Sequence, residues 1–449
     1  MTNFKERLHK VIPGGAHTYS RGDDQFPSNA PSIFVRGTGA YLYDMKDDAY
    51  LDYGMGLRSV NIGYGNREIA EAAYNEIVNG NNLTRASITE LNAAELFVDL
   101  IPSVEMVKFA KHGSTVTTAA IKLARAYTGR KYIAVPFEQP FFSFDDWFIG
   151  STVIKLGTIE EVSNYTLKFN YNNIDSLKKL FKEYPNQIAA VMLEPATVQS
   201  PCTSSCNNEV NTCKGCPNIE NNFLHQVRQL TKSNDTLMIL DEMITGFRWN
   251  LNGAQSTYNI VPDLCTFGKA MANGFAVAAL GGKREIMKLG GIEELGKERI
   301  FLTSTTHGAE MSGLGAFIKT VEIIKRDNVI EHYWSYGKLL MQGMNQIAKD
   351  LEINDKFYVE GHSCSPAYVT KDNNGLVSMS FRTLFSQEMV KNRILMPYIA
   401  ISFEHKAKEL ALTLEAVKKT LLVYKYALEK GIEHYLESEV IKPVFRQFN

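Results

Sequence analysis

A lysine and an aspartate with the chemistry of a cofactor site each lie at the end of a short apolar run. Lys269 stands in the stretch PDLCTFGKAMANG (262–274), where its neighbours Ala270 and Met271 are of types that are usually buried. Burial lowers the pKa of a lysine, and a neutral amine can condense with an aldehyde to form a Schiff base. Because most lysines in proteins are exposed, a surface lysine that closes a strand is the alternative.

The carboxylate partner is Asp241, at the end of the apolar run LMILDE (237–242). Such a run predicts a buried strand that ends in two acids. Pyridoxal phosphate is a cofactor that requires both groups, a lysine for its aldehyde and a carboxylate that keeps its ring nitrogen protonated. The pair therefore predicts a pyridoxal-phosphate site.

The elements that must position these residues are apolar strands that alternate with helical segments. This alternation predicts an α/β fold with a mostly parallel sheet covered by helices on both faces. The carboxyl ends of parallel strands meet at one edge of the sheet, where functional groups gather. The polar residues predicted at that edge are Gly113, Ser114, Thr115, Glu194, Asp241 and Lys269.

Gly113, Ser114 and Thr115 form a candidate phosphate site between a predicted strand and a predicted helix. Glycine allows a close approach, hydroxyls donate hydrogen bonds, and a helix N-terminus favours an anion. A simple N-cap built from Ser114 or Thr115 is the alternative. The sequence has no Walker A pattern, and its Gly54-Met55-Gly56 fragment is an incomplete dinucleotide fingerprint, which argues against a nucleotide-binding oxidoreductase.

The composition is that of an ordinary globular protein with room for two domains. The chain has 449 residues, of which 45% are hydrophobic and 22% charged. Its net charge of −1 gives no basic surface for nucleic acid or anionic membranes. The charged start MTNFKERLHK and the lack of a membrane-length apolar stretch lead us to expect a cytoplasmic protein.

Four cysteines fall within one polar stretch at about 200–218, with the spacing C-x3-C and C-x2-C. They are Cys202, Cys206, Cys213 and Cys216. In a reducing cytosol such a cluster favours a metal site over disulfides. Four thiolates suit tetrahedral zinc in a structural role, since they leave no open position. An iron–sulfur cluster with the same ligands and unligated cysteines are the alternatives.

The order of the motifs resembles that of the class III, fold type I pyridoxal-phosphate aminotransferases, most closely the glutamate-1-semialdehyde 2,1-aminomutases among them. The matching stretches are the phosphate site, DEMITGFR (241–248), PDLCTFGKAMANGF (262–275), STTHGAE (304–310), IPGG…SR (12–21), GAYLYD (39–44), AIKLARAYTGR (120–130) and FE (403–404). The resemblance implies a large domain with a mostly parallel sheet and a smaller α+β domain from both termini. It assigns residues 1–60 to an N-terminal segment that joins the small domain. Residues 61–310, with the cysteine-rich insertion, form the pyridoxal-phosphate domain, and 311–449 the C-terminal small domain.

The resemblance also implies which residues hold the cofactor. Lys269 would bind its aldehyde and later move a proton, and Asp241 would pair with its ring nitrogen. The other residues implied are Gly113, Ser114 and Thr115 for the phosphate, Met243 and Phe141 for the two ring faces, Gln199 near the ring hydroxyl, and Thr305, which reaches the phosphate from the partner subunit. A homodimer with shared active sites follows from the last of these.

Three further residues concern the substrate. Arg21 matches the carboxylate-binding arginine of the mutases, and a guanidinium suits a planar anion. Glu404 matches a glutamate near the mutase site, where many class III aminotransferases have an arginine. Arg58 stands where the mutases are uncharged, which suggests a second anionic or sugar-like group on the substrate. For the two arginines a position facing solvent is the alternative, and for Glu404 an acid at the rim of the site with no catalytic part.

The function implied is pyridoxal-phosphate-dependent transfer of an amino group from a small-molecule donor to an aldehyde or ketone. A strict intramolecular mutase acting on glutamate 1-semialdehyde is the alternative, favoured by Arg21 and Glu404. The mutases' Tyr-His-Gly is replaced here by Phe-Phe-Ser (141–143), which with Arg58 favours another substrate. An inactive, zinc-stabilised binding protein on the same fold is an alternative of a different class. The presence of Lys269 together with Asp241 argues against it.

Overall fold

A computed structural model describes residues 4–202 and 221–449 of the chain. Its strands are β1 (Phe34–Thr38), β2 (Tyr41–Asp44), β3 (Ala49–Asp52), β4 (Met106–Ala110), β5 (Tyr132–Pro136), β6 (Thr166–Phe169), β7 (Ile188–Leu193), β8 (Leu237–Asp241), β9 (Leu264–Phe267), β10 (Ala278–Gly282), β11 (Phe357–His362), β12 (Ser365–Thr370) and β13 (Ile394–Leu395). Its helices are α1 (Phe4–Val11), α2 (Met55–Arg58), α3 (Arg67–Val78), α4 (Ile88–Leu100), α5 (Gly113–Thr128), α6 (Asp146–Ile149), α7 (Glu160–Ser163), α8 (Ile174–Glu183), α9 (Phe223–Ser233), α10 (Ala254–Thr257), α11 (Arg284–Met287), α12 (Met311–Arg326), α13 (Val329–Asp350), α14 (Met379–Lys391) and α15 (Ala407–Lys430).

The chain divides into two compact units. One combines Met1–Asn66 with Glu331–Val444, and the other combines Arg67–Ile330 with Phe445–Asn449. No helix within the described ranges is long and apolar enough to cross a membrane.

The larger unit is built on a sheet with the strand order β4-β10-β9-β8-β7-β5-β6. Neighbouring strands are parallel except at β10, which runs antiparallel to both β4 and β9. Every residue of β7, β8 and β9 is buried, which explains why their sequences are continuous apolar runs rather than alternating patterns. The predicted α/β fold with a mostly parallel sheet is confirmed.

The smaller unit contains a sheet of order β1-β2-β3-β13, which joins strands from both ends of the chain. The first three strands are antiparallel, and β13 pairs parallel with β3. The strands β11 and β12 form a separate antiparallel pair. The predicted small α+β domain from both termini is therefore confirmed.

Candidate active site

Asp241 and Lys269 are brought together by two neighbouring parallel strands of the larger unit. Asp241 is the last residue of β8 and lies opposite Thr266 of β9. Lys269 follows β9 and opens a short 3-10 helix, with a φ of 43° in the left-handed region. Such a backbone conformation is costly for a residue with a side chain and is concentrated at functional sites. The positive charge of Lys269 lowers the pKa of Asp241, so the two groups act on each other.

The carboxylate of Asp241 is buried and half of its acceptor capacity is already used. The Met243 amide and the Thr266 hydroxyl donate to its Oδ1 across 3.0 and 3.2 Å. Its Oδ2 accepts no hydrogen bond from the part of the chain that the structure describes. Burial raises the pKa of Asp241 to about 6, against the opposing effects of the Met243 amide, Lys269 and Thr266. One oxygen of this buried residue is thus available for a ligand that donates a proton.

The thioether of Met243 fills the space between two glycines from different elements. A Cβ on Gly113, at the start of α5, would lie 3.0 Å from the Met243 sulfur, and one on Gly268, just after β9, would lie 2.7 Å from it. A Cβ at Gly268 would force the Met243 side chain to shift, and one at Gly113 would displace it by a few tenths of an ångström. The N-terminus of α5, the end of β8 and the end of β9 therefore meet around one side chain.

The first turn of α5 is suited to an anion. Its N-cap position is held by His112, whose side chain makes no capping hydrogen bond, so the alternative with Ser114 or Thr115 as the N-cap is wrong. The first N–H groups of a helix have no partner within the helix and carry a partial positive charge. The Ser114 hydroxyl is buried beside them and accepts a hydrogen bond from the Phe144 amide across 3.1 Å.

The two phenylalanines after β5 lie in different environments. Phe142 is buried in the core, and its carbonyl accepts from the Thr117 hydroxyl of α5 across 2.8 Å. Phe141 is 46% exposed, and its ring meets that of Phe148 edge-on at 6.3 Å. Of the pair, Phe141 is the one whose ring remains accessible to a ligand.

The residues after β7 lead towards the cysteine segment. Glu194 is buried, and its backbone exchanges two hydrogen bonds with the Gln139 side chain, at 3.0 and 2.8 Å. Gln199 is half-buried, and its amide donates to the Thr197 hydroxyl across 3.3 Å. Cys202 is buried, and its amide donates to the side chain of Asn172 across 2.8 Å. The other three predicted zinc ligands, Cys206, Cys213 and Cys216, lie outside the described residues.

Thr305 lies on an exposed segment, and an ion pair fixes the C-terminal end of this segment. Its carbonyl accepts from the Gly308 amide across 3.0 Å. Two residues further on, Glu310 pairs with Lys111 across 2.7 Å, and this hydrogen-bonded contact lowers the pKa of Glu310 to about 2. Lys111 is in turn next to the residue that caps α5. The segment is thus tied to the beginning of the candidate phosphate site.

The three predicted substrate residues all lie in the smaller unit. Arg21 is exposed, at the end of a short 3-10 helix. Arg58 is half-buried rather than facing solvent. Its Nη1 donates to the Ser365 hydroxyl across 2.8 Å, and its guanidinium lies 4.6 Å from the centre of the Tyr398 ring. Glu404 packs on two glycines, and a Cβ on one of them, Gly39, would lie 3.6 Å from its Oε2.

Arg58 ends a left-handed turn that the sequence did not reveal. All four residues of α2 have positive φ, from 40° to 68°, and three of them have side chains. This conformation costs about 1–2 kcal/mol for each such residue. The buried carboxylate of Asp52 stabilises it by accepting from the amides of Gly54 and Met55, across 2.7 and 2.8 Å. The Tyr64 hydroxyl donates to the same carboxylate across 2.7 Å.

Two further residues of the larger unit were not singled out as functional. Thr266 orients Asp241, and only the strand register shows that these residues are opposite one another. Glu242, the second acid after β8, is fully buried and accepts from the amides of Ala254 and Gln255, each across 2.8 Å. It fixes the beginning of α10, so the two adjacent acids have different roles.

Comparison with known proteins identifies the family. The profile of the family described as aminotransferase class-III matches residues 24–377, more than half of the chain. The chain belongs to the class III aminotransferases. It is 30% identical to the 3-aminobutyryl-CoA aminotransferase of Cloacimonas acidaminovorans, covering 94% of this chain and 97% of that protein. It is 32% identical to the glutamate-1-semialdehyde 2,1-aminomutase of Francisella philomiragia, covering 78% of each. The FumI protein of Sphingopyxis sp. MTA144, solved with PLP, shares the fold with a TM-score of 0.83 at 24% identity, over 98% of both chains.

The protein is therefore an enzyme of a family that uses pyridoxal 5′-phosphate, and its residues fit that cofactor. The open Oδ2 of Asp241 can accept a ring N–H, and the first turn of α5 can bind a phosphate. Glycine at positions 113 and 268 leaves room for the Met243 thioether between the first turn of α5 and the end of β9.

Proposed function

We propose that this class III aminotransferase transfers an amino group from a small-molecule donor to an aldehyde or ketone at a site built on Lys269 and Asp241. The observation that carries the proposal is the open Oδ2 of a buried Asp241, on the strand next to the one that Lys269 follows. A surface lysine with no function would have no reason to lie beside a desolvated carboxylate in a strained conformation.

The proposed roles follow from the chemistry of the side chains. Pyridoxal phosphate, when bound, supplies an aldehyde for the amine and a ring that withdraws electrons. Asp241 would hold the proton on the ring nitrogen through Oδ2, while Met243 and Thr266 fix the orientation of its carboxylate. Lys269 would bind the aldehyde carbon and, after release, take up and return a proton at Nζ.

The remaining cofactor residues surround the ring and the phosphate. Gly113, Ser114 and Thr115 would bind the phosphate with the amides of α5. Met243 and Phe141 would cover the two faces of the ring, and Gln199 would lie near its hydroxyl. These assignments are supported by the position of α5 beside Met243 and by the accessible ring of Phe141.

Thr305 would complete the phosphate site of a partner subunit, in a homodimer with shared sites. Its exposure supports this role. Co-expression of Lys269→Ala chains with Thr305→Trp chains tests it, since mixed dimers would contain one intact site. Recovery of about a quarter of the wild-type turnover is expected from random pairing of the chains. No recovery in dimers shown to be mixed would rule the role out.

Zinc bound by Cys202, Cys206, Cys213 and Cys216 would stabilise the segment that follows Gln199. The cysteine spacing supports this, together with the anchoring of Cys202 by Asn172. One zinc per chain in the purified protein is expected, with loss of the metal in Cys213→Ser. A wild-type protein free of metal would contradict the proposal.

The substrate would carry an anionic group recognised by Arg21. Arg58 would recognise a second anionic or sugar-like group, and Glu404 would lie near the substrate without binding an anion. A strict mutase acting on glutamate 1-semialdehyde is the second candidate, supported by the mutases among the relatives. A screen of donors and acceptors, followed by the visible absorbance of the cofactor, separates the two. An aminotransferase requires a separate donor for each turnover, whereas a mutase converts one substrate alone. Turnover by Lys269→Ala equal to that of the control Lys178→Ala, a lysine exposed on α8, would contradict both.

A further inference from the structure

A large cavity of the larger unit lies outside the site described above. It has a volume of about 1090 Å³. Its walls come from five parts of this unit: the edge strand β6, the residues just after β5, Phe148 of α6, the segment 151–156, and the C-terminal residues Phe445, Gln447 and Phe448. A cavity of this size can hold a ligand larger than a simple amino acid.

The cavity contains a lysine without an acidic partner. Lys168 of β6 is half-buried, and its ammonium lies 4.6 Å from the centre of the Phe148 ring. No carboxylate within the described ranges pairs with it. Burial lowers the pKa of Lys168 to about 8. Burial removes water from around the Lys168 ammonium. A bound anion would replace that lost interaction and favour the charged form of the amine.

The other residues that line the cavity are mainly apolar, and the charged residue among them is positive, as Lys168 is. Leu156 is fully exposed and Phe448 is 77% exposed, which is unusual for side chains that line one cavity. A second lysine, Lys155, also lines it, and none of the described lining residues is an aspartate or glutamate. Cations beside exposed apolar side chains complement a molecule with a negative head and an apolar chain.

We propose that this cavity binds an amphiphilic anion, with its carboxylate or phosphate at Lys168 and its apolar chain along Leu156 and Phe448. The anion is either part of the amino substrate, which rests on the proposed function, or a separate ligand. The cavity is connected to the ring site through Phe141, whose ring contacts Phe148 and lies 6.4 Å from that of Phe445. Binding of a ligand in the cavity should therefore affect Phe141, the residue proposed to cover one face of the cofactor ring.

Calorimetry on the holoenzyme tests the site without requiring turnover, so its result is independent of the proposed reaction. The probes are decanoate and decyltrimethylammonium, which have the same chain and opposite charges. Saturable binding of decanoate is expected, with affinity reduced about tenfold or more in Lys168→Gln, because a hydrogen bond to a charged group is lost. Lys168→Arg and the surface control Lys178→Gln should bind decanoate much as the wild type does.

The pH dependence separates Lys168 from a merely apolar cavity. Decanoate affinity should fall as the pH rises above about 8 in the wild type, where Lys168 loses its proton, but not in Lys168→Arg. Competition of decanoate with the amino substrate would assign the anion to that substrate, and binding without competition to a separate ligand. Both results support the site.

Three results would overturn the proposal: absence of saturable decanoate binding, equal binding of the cationic probe, or unchanged affinity in Lys168→Gln. If a second copy of the chain covers the cavity, decanoate should not bind saturably, and Leu156→Asp should dissociate the oligomer.

Discussion

The hydroxyl of Thr266 donates to Oδ1 of Asp241 across 3.2 Å, from the residue directly opposite on the neighbouring parallel strand. The strand register therefore orients the carboxylate before any cofactor arrives. Together with the Met243 amide, Thr266 occupies one carboxylate oxygen and leaves the other for a ligand. The preorganised acceptor is a property of the sheet and not of a mobile loop.

Replacing Thr266 by valine should shift the pH dependence of turnover. Thr266→Val keeps the shape of the side chain but removes a hydrogen bond that favours the charged form of Asp241. The pKa of Asp241 should rise further, by up to about one unit for a hydrogen bond of ordinary strength. The acidic limb of the turnover profile should move to higher pH by the same amount.

The control is Thr320→Val in α12, since the hydroxyl of Thr320 is buried without a partner among the described residues. It should leave the acidic limb in place. An equal shift in both variants, or none in Thr266→Val, would show that this hydrogen bond does not tune Asp241.

Asp241→Asn should change how the stability of the cofactor-free protein depends on pH. Below about pH 4 the carboxyl is neutral in the folded and unfolded states, so its burial has little electrostatic cost. As the pH rises from about 4 to about 6, the carboxyl ionises in the unfolded state while burial keeps it neutral in the folded state, and the free energy of unfolding falls. Between pH 4 and pH 8 the free energy of unfolding should fall by about 2–3 kcal/mol more in the wild type than in Asp241→Asn.

Urea unfolding at both pH values measures this difference. The same substitution at Asp175, which is exposed on α8 and whose carboxylate has a lowered pKa beside Lys178, provides the control. Asp175→Asn should not show the higher free energy of unfolding, relative to the wild type, that is expected of Asp241→Asn at high pH. Parallel pH profiles for the wild type and Asp241→Asn would contradict the raised pKa of Asp241.

Gly268→Ala should weaken the binding of pyridoxal phosphate. The φ of Gly268 is 179°, which any residue adopts, so the effect comes from the contact of the new methyl group with the Met243 sulfur at 2.7 Å. The methyl group displaces the Met243 thioether, which is proposed to cover one face of the ring, so the overpacking cost of about 1–3 kcal/mol should apply to the cofactor complex. The affinity for the cofactor should then fall by about tenfold or more. Equilibrium titration of the cofactor-free protein measures it.

The double variant Gly268→Ala/Met243→Ala removes the sulfur that the methyl group meets. It should bind the cofactor with nearly the affinity of Met243→Ala alone. If Gly268→Ala and the double variant bound the cofactor with equally low affinity, the packing of Met243 against Gly268 would not determine the shape of the site.

The sequence predicted the parts of the site that depend on local pattern. Asp241 and Lys269 follow apolar runs, and such runs indicate strands buried on both faces. The same reasoning placed Gly113 between a strand and a helix. These predictions succeeded because the end of a buried strand can be recognised from the change in polarity alone.

The partners of those residues could not be predicted, because they depend on which strands are neighbours. Thr266 faces Asp241 only through the pairing of β8 with β9, and the antiparallel β10 follows no local signal. The left-handed turn that ends at Arg58 depends on the hydroxyl of Tyr64, which follows the turn in the chain, as well as on Asp52. Contacts of this kind are set by the fold as a whole.

The most direct test is to identify the residue that binds the cofactor covalently. The holoenzyme is reduced with borohydride, digested, and its peptides are mapped by mass spectrometry, with Lys269→Ala treated in parallel. A single pyridoxyl modification on Lys269, absent from the variant together with all turnover, is the expected result. Modification of another lysine in the wild type, or wild-type turnover by Lys269→Ala, would contradict the proposed site.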